Sequence, residues 1–292
     1  MQNTTRKLPS WKNLPLVAAM LIVGAQAVSA KDLPCTPQAQ IALSNITSRI
    51  ILVGELHGTN EIPGFVSGLA CSILREGKPL IVGLESPASN QLALNAYMDS
   101  DGGEAARAAL KSSKFGEMND GRSSRAIFGL VESMRQLRRA GANVAVAGID
   151  ISEGAVPEPL FKGEPVWRGE RDAVMAHNIE SRARVNKDHT ILVLAGSLHV
   201  SRLKGAPWNP DYEPTGYLLQ QRLPLYSIAF AFPSGGSYWM CRRVSGSGPV
   251  PQDADLVCGM NTASQGQARI DDGDFNTWVS LGMVSASVPM RE

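Results

Sequence analysis

Residues 50–58 read Ile-Ile-Leu-Val-Gly-Glu-Leu-His-Gly, an apolar run that ends in a glutamate and a histidine. The apolar residues are too few for a helix, and they lack the polar alternation of a half-exposed strand. Such a run is typical of a strand that is buried on both faces of a parallel sheet. Three further runs share this composition, at residues 80–84, 144–147 and 191–194.

Between these runs, apolar residues recur every three to four positions, which predicts helices. The predicted helices cover residues 62–75, 89–98, 103–111, 123–139 and 169–185. Strands that alternate with helices indicate the α/β class. We therefore predict a mainly parallel central sheet flanked by helices, with right-handed crossovers.

The pattern changes after residue 214. Residues 225–232 and 237–243 are separated by Pro-Ser-Gly-Gly at 233–236, which predicts a C-terminal antiparallel hairpin. The tail after about residue 246 is rich in Gly, Pro, Ser and Asp, and we predict that it is irregular. No linker interrupts the chain, so residues 31–292 are predicted to form a single α/β domain.

Residues 1–30 have the features of a cleavable secretory signal. Arg6, Lys7 and Lys12 precede an apolar stretch at 14–27, and Val-Ser-Ala at 28–30 supplies the small residues of a cleavage site. The apolar stretch is shorter than the roughly 20 residues of a membrane span. Cys35 lies beyond the cleavage point, which argues against a lipid anchor. We expect a soluble periplasmic or secreted protein with no membrane anchor after signal cleavage.

Overall composition excludes little, but it constrains the partner. Hydrophobic residues make up 43% of the chain, which is ample for a core. The 28 basic and 27 acidic residues give a formal charge of +1, so no nucleic-acid partner is expected. We expect a small-molecule or peptide substrate, while the oligomeric state stays open.

The chain has four cysteines, an even number that favours disulfides over free thiols in an exported protein. Four cysteines allow three connectivities. We favour Cys35–Cys71 and Cys241–Cys258, because each pair is local to one end of the chain. The absence of C-x-x-C spacing argues against a cysteine metal site.

Each buried run leads into a carboxylate, a histidine or both, preceded by a glycine. Because ligands of open α/β sheets bind beyond the carboxyl ends of the strands, these residues are the main candidates for a functional site. They are Glu55, His57, Glu85, Asp150 and His199.

Glu55 and His57 point to the same side if the chain stays extended, and His199 holds the equivalent position after another strand. This predicts a divalent-metal site formed by His57, His199 and Glu55, or a base with its orienting partner. The alternative for each histidine is a helix cap or a bond to a loop carbonyl. Glu85 is the candidate base for water, and its alternative is an acid favoured by a helix dipole.

Four further residues are candidates for substrate binding: Arg171, Asp172, Glu61 and Asp150. Arg171 has the geometry to bind a carboxylate or phosphate, or to tie the helix to the sheet. Asp172 lies on the apolar stripe of its helix, so it must be paired, capping or directed into the site. Glu61 has the alternative of a solvated first-turn acid, and Asp150 that of a turn residue.

Four motifs in matching order resemble the superfamily of erythromycin esterases, ChaN-type haem-binding proteins and TraB/Tiki proteases. The motifs are Gly54-Glu-Leu-His-Gly-Thr-Asn-Glu-Ile-Pro63, Gly83-Leu-Glu-Ser-Pro87, Arg171-Asp-Ala-Val-Met-Ala176 and Ala195-Gly-Ser-Leu-His-Val200. In Tiki-like members, paired G-x-x-H motifs with a glutamate form a metal-dependent hydrolytic site, which the resemblance assigns to His57, His199, Glu55 and Glu85. In esterase-like members the acid after the second strand is the base for water, which implies Glu85.

Two functions of different class follow from the motifs and the resemblance. The first is an exported hydrolase, an esterase or protease, in which Glu85 activates water with or without a divalent metal. The second is a soluble periplasmic haem- or iron-binding protein of the ChaN type. The chain departs from ChaN-type lipoproteins because its signal lacks the lipidation cysteine.

Overall fold

The computed structural model describes residues 30–152, 171–243, 256–264 and 273–292. The predicted signal peptide lies outside these residues, apart from Ala30. None of the helices in the described ranges is long and apolar enough to cross a membrane.

A six-stranded sheet forms the centre of the protein, and every strand pair in it is parallel. A separate pair of antiparallel strands follows late in the chain. In chain order the strands are β1 (Ile50–Glu55), β2 (Leu80–Pro87), β3 (Val144–Asp150), β4 (Thr190–Gly196), β5 (Tyr226–Ala231), β6 (Gly236–Arg243), β7 (Leu256–Ala263) and β8 (Thr277–Ser280). The order in the central sheet is β3-β2-β4-β1-β5-β8, which confirms the predicted parallel α/β architecture.

Helices lie between the strands of the sheet, and all but the last of the six match helices that the sequence predicts. They are α1 (Glu61–Arg75), α2 (Gln91–Asp99), α3 (Glu104–Ser112), α4 (Arg125–Arg139), α5 (Arg171–Val185) and α6 (Thr215–Gln220). Successive residues of β1 serve opposite cores: Ile51 and Val53 pack with α1 and α4, while Ile50 and Leu52 pack with α5. This two-sided burial explains why the strand sequences are apolar without alternation.

The C-terminal hairpin exists, but the predicted pairing of its strands is wrong. Residues 225–232 contain β5, which lies parallel to β1 and β8 in the central sheet, while β6 pairs with β7. Ile228 and Ala229 belong to the cores on opposite faces of the sheet, and a hairpin strand outside the sheet would lose that burial. The tail that was predicted to be irregular contains β7 and β8.

Both favoured disulfides are confirmed. Cys35–Cys71 ties the segment before β1 to α1, and Cys241–Cys258 joins directly opposed residues of β6 and β7. A disulfide stabilises chiefly by restricting the unfolded chain, and the restriction grows with the length of the closed loop.

Removal of the Cys35–Cys71 bond should therefore cost more stability than removal of the other. The sequence separations of 36 and 17 residues correspond to about 4 and about 3 kcal/mol. Urea denaturation of the two paired Cys→Ser variants measures both values. Equal midpoints, or a larger loss without Cys241–Cys258, would contradict the loop-length account.

Candidate functional site

The carboxyl ends of the neighbouring strands β3, β2, β4 and β1 bring the predicted acids and histidines together. Glu55 ends β1 opposite Gly196 at the end of β4, and Glu85 lies near the end of β2. Four carboxylates in this region expose 5% of their surface or less: Glu55, Glu85, Asp150 and Asp172. Buried carboxylates need partners, because removing a charge from water is costly.

Glu85 lies at the centre of the cluster. Its Oε2 accepts a hydrogen bond from the Gly196 backbone N–H at 2.6 Å, and its Oε1 accepts one from Arg171 Nη2 at 2.5 Å. The Nε2 atoms of His57 and His199 lie 3.5 and 3.8 Å from its two oxygens. Burial raises the pKa of Glu85, but the positive charge and hydrogen bond of His57, together with the charge of Arg171, outweigh it and hold the pKa well below 4.5.

His57 lies between two carboxylates. Its Nδ1 donates to Glu55 Oε2 at 3.0 Å, while Nε2 is directed at Glu85. Burial by itself lowers the pKa of His57, but Glu85 and Glu55 raise it from 6.5 to about 10. At neutral pH His57 is therefore an imidazolium with a proton available on Nε2.

His199 is held in one tautomer by its neighbours. Its Nε2 lies 3.3 Å from Arg171 Nη1, which can only donate, so Nε2 is the acceptor. Its Nδ1 then carries the proton and donates to Asp172 Oδ1 at 2.8 Å. His57 and His199 are thus both backed by a carboxylate, but Nε2 of His57 faces Glu85, whereas Nε2 of His199 lies closest to the donor Arg171 Nη1.

Asp172 accepts more hydrogen bonds than that from His199. Thr215 donates to Oδ1 through both its N–H and its hydroxyl at 2.9 Å, and Tyr212 donates to Oδ2 at 2.5 Å. Burial raises the pKa of Asp172, but the bonds from His199 and Tyr212 lower it overall. Asp172 is therefore an ionised residue that orients His199, which agrees with its predicted place on a buried stripe.

Two guanidinium groups complete the cluster. Asp150 accepts from Arg171 Nε at 2.9 Å and from Arg122 Nη1 at 3.1 Å. Arg122 is also held by Asp120, whose Oδ2 accepts from Nη2 at 2.6 Å. Arg171 therefore ties α5 to the sheet, as its alternative interpretation predicts, and its Nη1 also faces the site histidine.

Sequence reasoning does not identify Arg122, Tyr212, Asp120 or Thr215 as site residues, and it does not predict the role of Gly196. Arg122 lies between α3 and α4, and Tyr212 lies far along the connection from β4 to α6, so reasoning from the residues directly after each strand does not find them. The Gly-Arg pair at 121–122, in a polar segment before a helix, gives no specific signal. Gly196 belongs to a predicted motif, but the role of its N–H toward Glu85 becomes visible only in the structure.

Glu61 does not join the other predicted residues. It begins α1, where Oε2 accepts from Ser285 N at 3.0 Å and Oε1 accepts from Ser285 Oγ at 2.6 Å. Both side-chain oxygens of Glu61 thus bond Ser285, and its contact with substrate stays a prediction.

The predicted metal set of His57, His199 and Glu55 does not fit a cation in this arrangement. Within the described residues, no group of three or more His, Cys, Asp or Glu side chains is placed to hold a metal ion. Glu55 accepts a hydrogen bond from Nδ1 of His57, on the edge of the ring that faces away from Glu85. It therefore does not lie beside the Nε2 atoms of the two histidines. The positive guanidinium of Arg171 lies beside His199 Nε2, where a cation would be repelled. Haem binding stays a prediction, which an absorbance titration would test.

The missing side chain of Gly196 leaves space between the two imidazoles. A Cβ at this position would lie 3.1 Å from His57 Nε2, 3.4 Å from Glu85 Oε2 and 3.5 Å from His199 Cδ2. We expect Gly196→Ala to lower turnover about tenfold, because the methyl group displaces His57 and any reacting atom there. Kinetics and thermal denaturation measured together check this. Unchanged turnover would show that the reaction takes place elsewhere.

Comparisons with solved structures agree with the fold. An erythromycin esterase in its open conformation has a TM-score of 0.53 at 14% identity, over 76% of this chain and 77% of that chain. A Bacillus cereus protein has a TM-score of 0.54 at 10% identity, over 82% and 90%. ChaN of Campylobacter jejuni, which binds haem cofacially, has a TM-score of 0.39 at 14% identity, over 75% and 90%.

At these identities the likeness establishes a shared fold with the first two structures, and the third is too distant to carry an argument. No protein-family model and no curated protein sequence matches the chain. Function must therefore be argued from the site itself.

Proposed function

We propose that the protein is an exported hydrolase that cleaves an ester or amide bond with water. One observation carries this proposal: two imidazoles, each backed by a carboxylate, converge through their Nε2 atoms on Glu85, and Nε2 of His199 also faces the donor Arg171. A proton donor and a proton acceptor on either side of one carboxylate are the groups that hydrolysis requires.

His199 is the proposed general base. Its unprotonated Nε2 takes a proton from water, and the resulting hydroxide attacks the carbonyl carbon of the substrate. Asp172 stabilises the imidazolium that forms, since its carboxylate bonds Nδ1. The lowered pKa of Glu85 makes it a weaker base than an ordinary carboxylate, so we assign the water proton to His199 rather than to Glu85.

His57 is the proposed general acid. Its Nε2 proton passes to the leaving oxygen or nitrogen as the tetrahedral intermediate collapses to the carboxylic acid. Arg122 and Arg171 supply fixed N–H donors and positive charge beside the developing oxyanion. After one turnover His199 holds an extra proton and His57 lacks one. Glu85 lies between the two histidines and can pass the extra proton from His199 to His57.

Export is part of this proposal. The predicted signal peptide supports it, as do the two disulfides, because such bonds persist in oxidising compartments. Mass spectrometry of the protein from cell fractions tests it: a mature chain that begins near Lys31 is expected outside the cytoplasm.

The pH dependence of hydrolysis tests the mechanism. Because His57 acts in its protonated form and has a pKa of about 10, the rate should fall as the pH rises through about 10. The likeness to an erythromycin esterase makes carboxylic esters and lactones the first substrates to assay. His57→Gln should abolish the alkaline limb together with most of the rate.

Two outcomes would overturn this assignment. A rate that continues to rise above the pKa of His57 would show that His57 does not act as an acid. A rate that is lost with a chelator and restored with a divalent ion would favour the metal-dependent mechanism that the resemblance implies.

A further inference from the structure

Residues 284–291, which we call the clasp, cross two loops that each carry a residue of the site. The first loop, at 56–60, carries His57, and the second, at 119–124, carries Arg122. Neither loop belongs to a helix or strand of the central sheet. Their backbone groups therefore need partners from elsewhere in the chain.

The clasp supplies those partners to the first loop. Ser287 N donates to Gly58 O at 2.8 Å, and Asn60 N donates to Ser285 O at 3.0 Å. Glu61, directly after this loop, binds the clasp with both side-chain oxygens through Ser285. The Asn60 side chain also donates to Ser285 Oγ and to Ala286 O, both at 3.0 Å, so Asn60 and Glu61 are the two residues here whose contacts a side-chain substitution can remove.

The clasp binds the second loop and the start of α4 in the same way. Met290 N donates to Ser123 O at 3.0 Å, and Arg125 N donates to Val288 O at 2.8 Å. Ala126 N donates to Ser287 Oγ at 2.9 Å. Ser287 thus joins both regions, since its N–H binds Gly58 and its hydroxyl accepts from Ala126.

The two loops also touch one another through their backbones. Gly121 has a φ of +97°, and a Cβ on it would lie 2.6 Å from Gly58 N. Close packing of this kind transmits a displacement of one loop to the other. The positions of His57 and Arg122 are therefore coupled.

We propose that the clasp positions His57 and Arg122 and that Glu61 is a positioning residue that helps to anchor it. The inference deepens the proposed hydrolase, on which its kinetic part rests. It also gives a role to Glu61, which is a predicted site residue of the first motif but lies outside the active-site cluster.

A pair of Glu61 variants tests this role. Glu61→Ala removes both bonds to Ser285 and should lower kcat about tenfold, with KM changed by less than about twofold. Glu61→Gln should restore kcat, because its amide oxygen accepts from Ser285 N and its amide nitrogen donates to Ser285 Oγ. If kcat falls equally in both variants and KM rises, the negative charge of Glu61 binds the substrate directly. That result would overturn the proposal.

Arg291→Ala is the matched control within the clasp. Arg291 Nε donates to Lys111 O at 2.7 Å and contacts neither loop, so its removal should leave kcat unchanged. A loss of kcat equal to that of Glu61→Ala would indicate general destabilisation instead of positioning.

Hydrogen exchange separates this proposal from the proposed function. In Glu61→Ala the Asn60 amide should exchange about tenfold faster, and so should the Ala126 amide on the other side of the clasp. Unchanged exchange at Ala126 would refute the coupling, whatever the substrate. If wild type hydrolyses no ester or amide but these amides still exchange faster, the hydrolase is refuted and the coupling stands.

Discussion

Replacement of Glu85 by glutamine should lower kcat/KM about 10³-fold and destabilise the fold by about 3 kcal/mol. Glu85 is buried, and its carboxylate is the shared counter-charge of His57 and Arg171. A neutral amide leaves these cations without that charge. The stability estimate is at the low end for a buried pair, because Arg171 is partly exposed and keeps Asp150.

The pH dependence of unfolding tests the contribution of the Glu85 charge to stability. The pKa of Glu85 in the folded protein is below 4.5, so its contribution to stability is present above that pH and is lost as the pH falls through the folded-state pKa. Urea denaturation should therefore show a gap between wild type and Glu85→Gln at neutral pH, and the gap should narrow in acid.

Glu61→Gln is the matched control for this substitution. It is the same chemical change in another strand-end motif, but among the described residues the Glu61 side chain bonds Ser285 and lies outside the cluster. We expect wild-type turnover from it. A Glu85→Gln protein that keeps wild-type turnover would contradict the central place of Glu85.

Much of the site could be predicted from the strand ends. A buried parallel strand must finish in a polar loop at one edge of the sheet, so Glu55, Glu85 and Asp150 were placed together by the pattern alone. The same reasoning holds for β5 only in part. Its apolar run fits a buried strand, yet its partner β8 lies 46 residues farther on, and the nearer β6 offered a plausible local hairpin.

The remaining contacts depend on tertiary distances that no local pattern encodes. Arg122 reaches Asp150 because a loop between α3 and α4 returns to the end of β3. Tyr212 reaches Asp172 across 40 residues of chain. Sequence spacing identified Asp172 as a carboxylate in need of a partner, but it could not tell that His199 was that partner.

Asp172→Asn tests the assignment of His199 as the base most directly. Asparagine can keep the bonds from His199 and Thr215 through its oxygen, while its amide faces the Tyr212 hydroxyl. The substitution therefore preserves much of the geometry and removes the negative charge. That charge matters most when His199 has taken the proton from water and is an imidazolium.

We expect kcat of Asp172→Asn to fall about 10²- to 10⁴-fold, the usual contribution of general acid–base catalysis, while the protein stays folded. Tyr212→Phe is the graded control: it removes one donor to Asp172 and keeps the carboxylate, so it should cost much less. Steady-state kinetics with circular dichroism on both variants decides the matter. If Asp172→Asn turns over as wild type does, His199 needs no ionised partner and the base must be sought elsewhere, with Glu85 the first candidate.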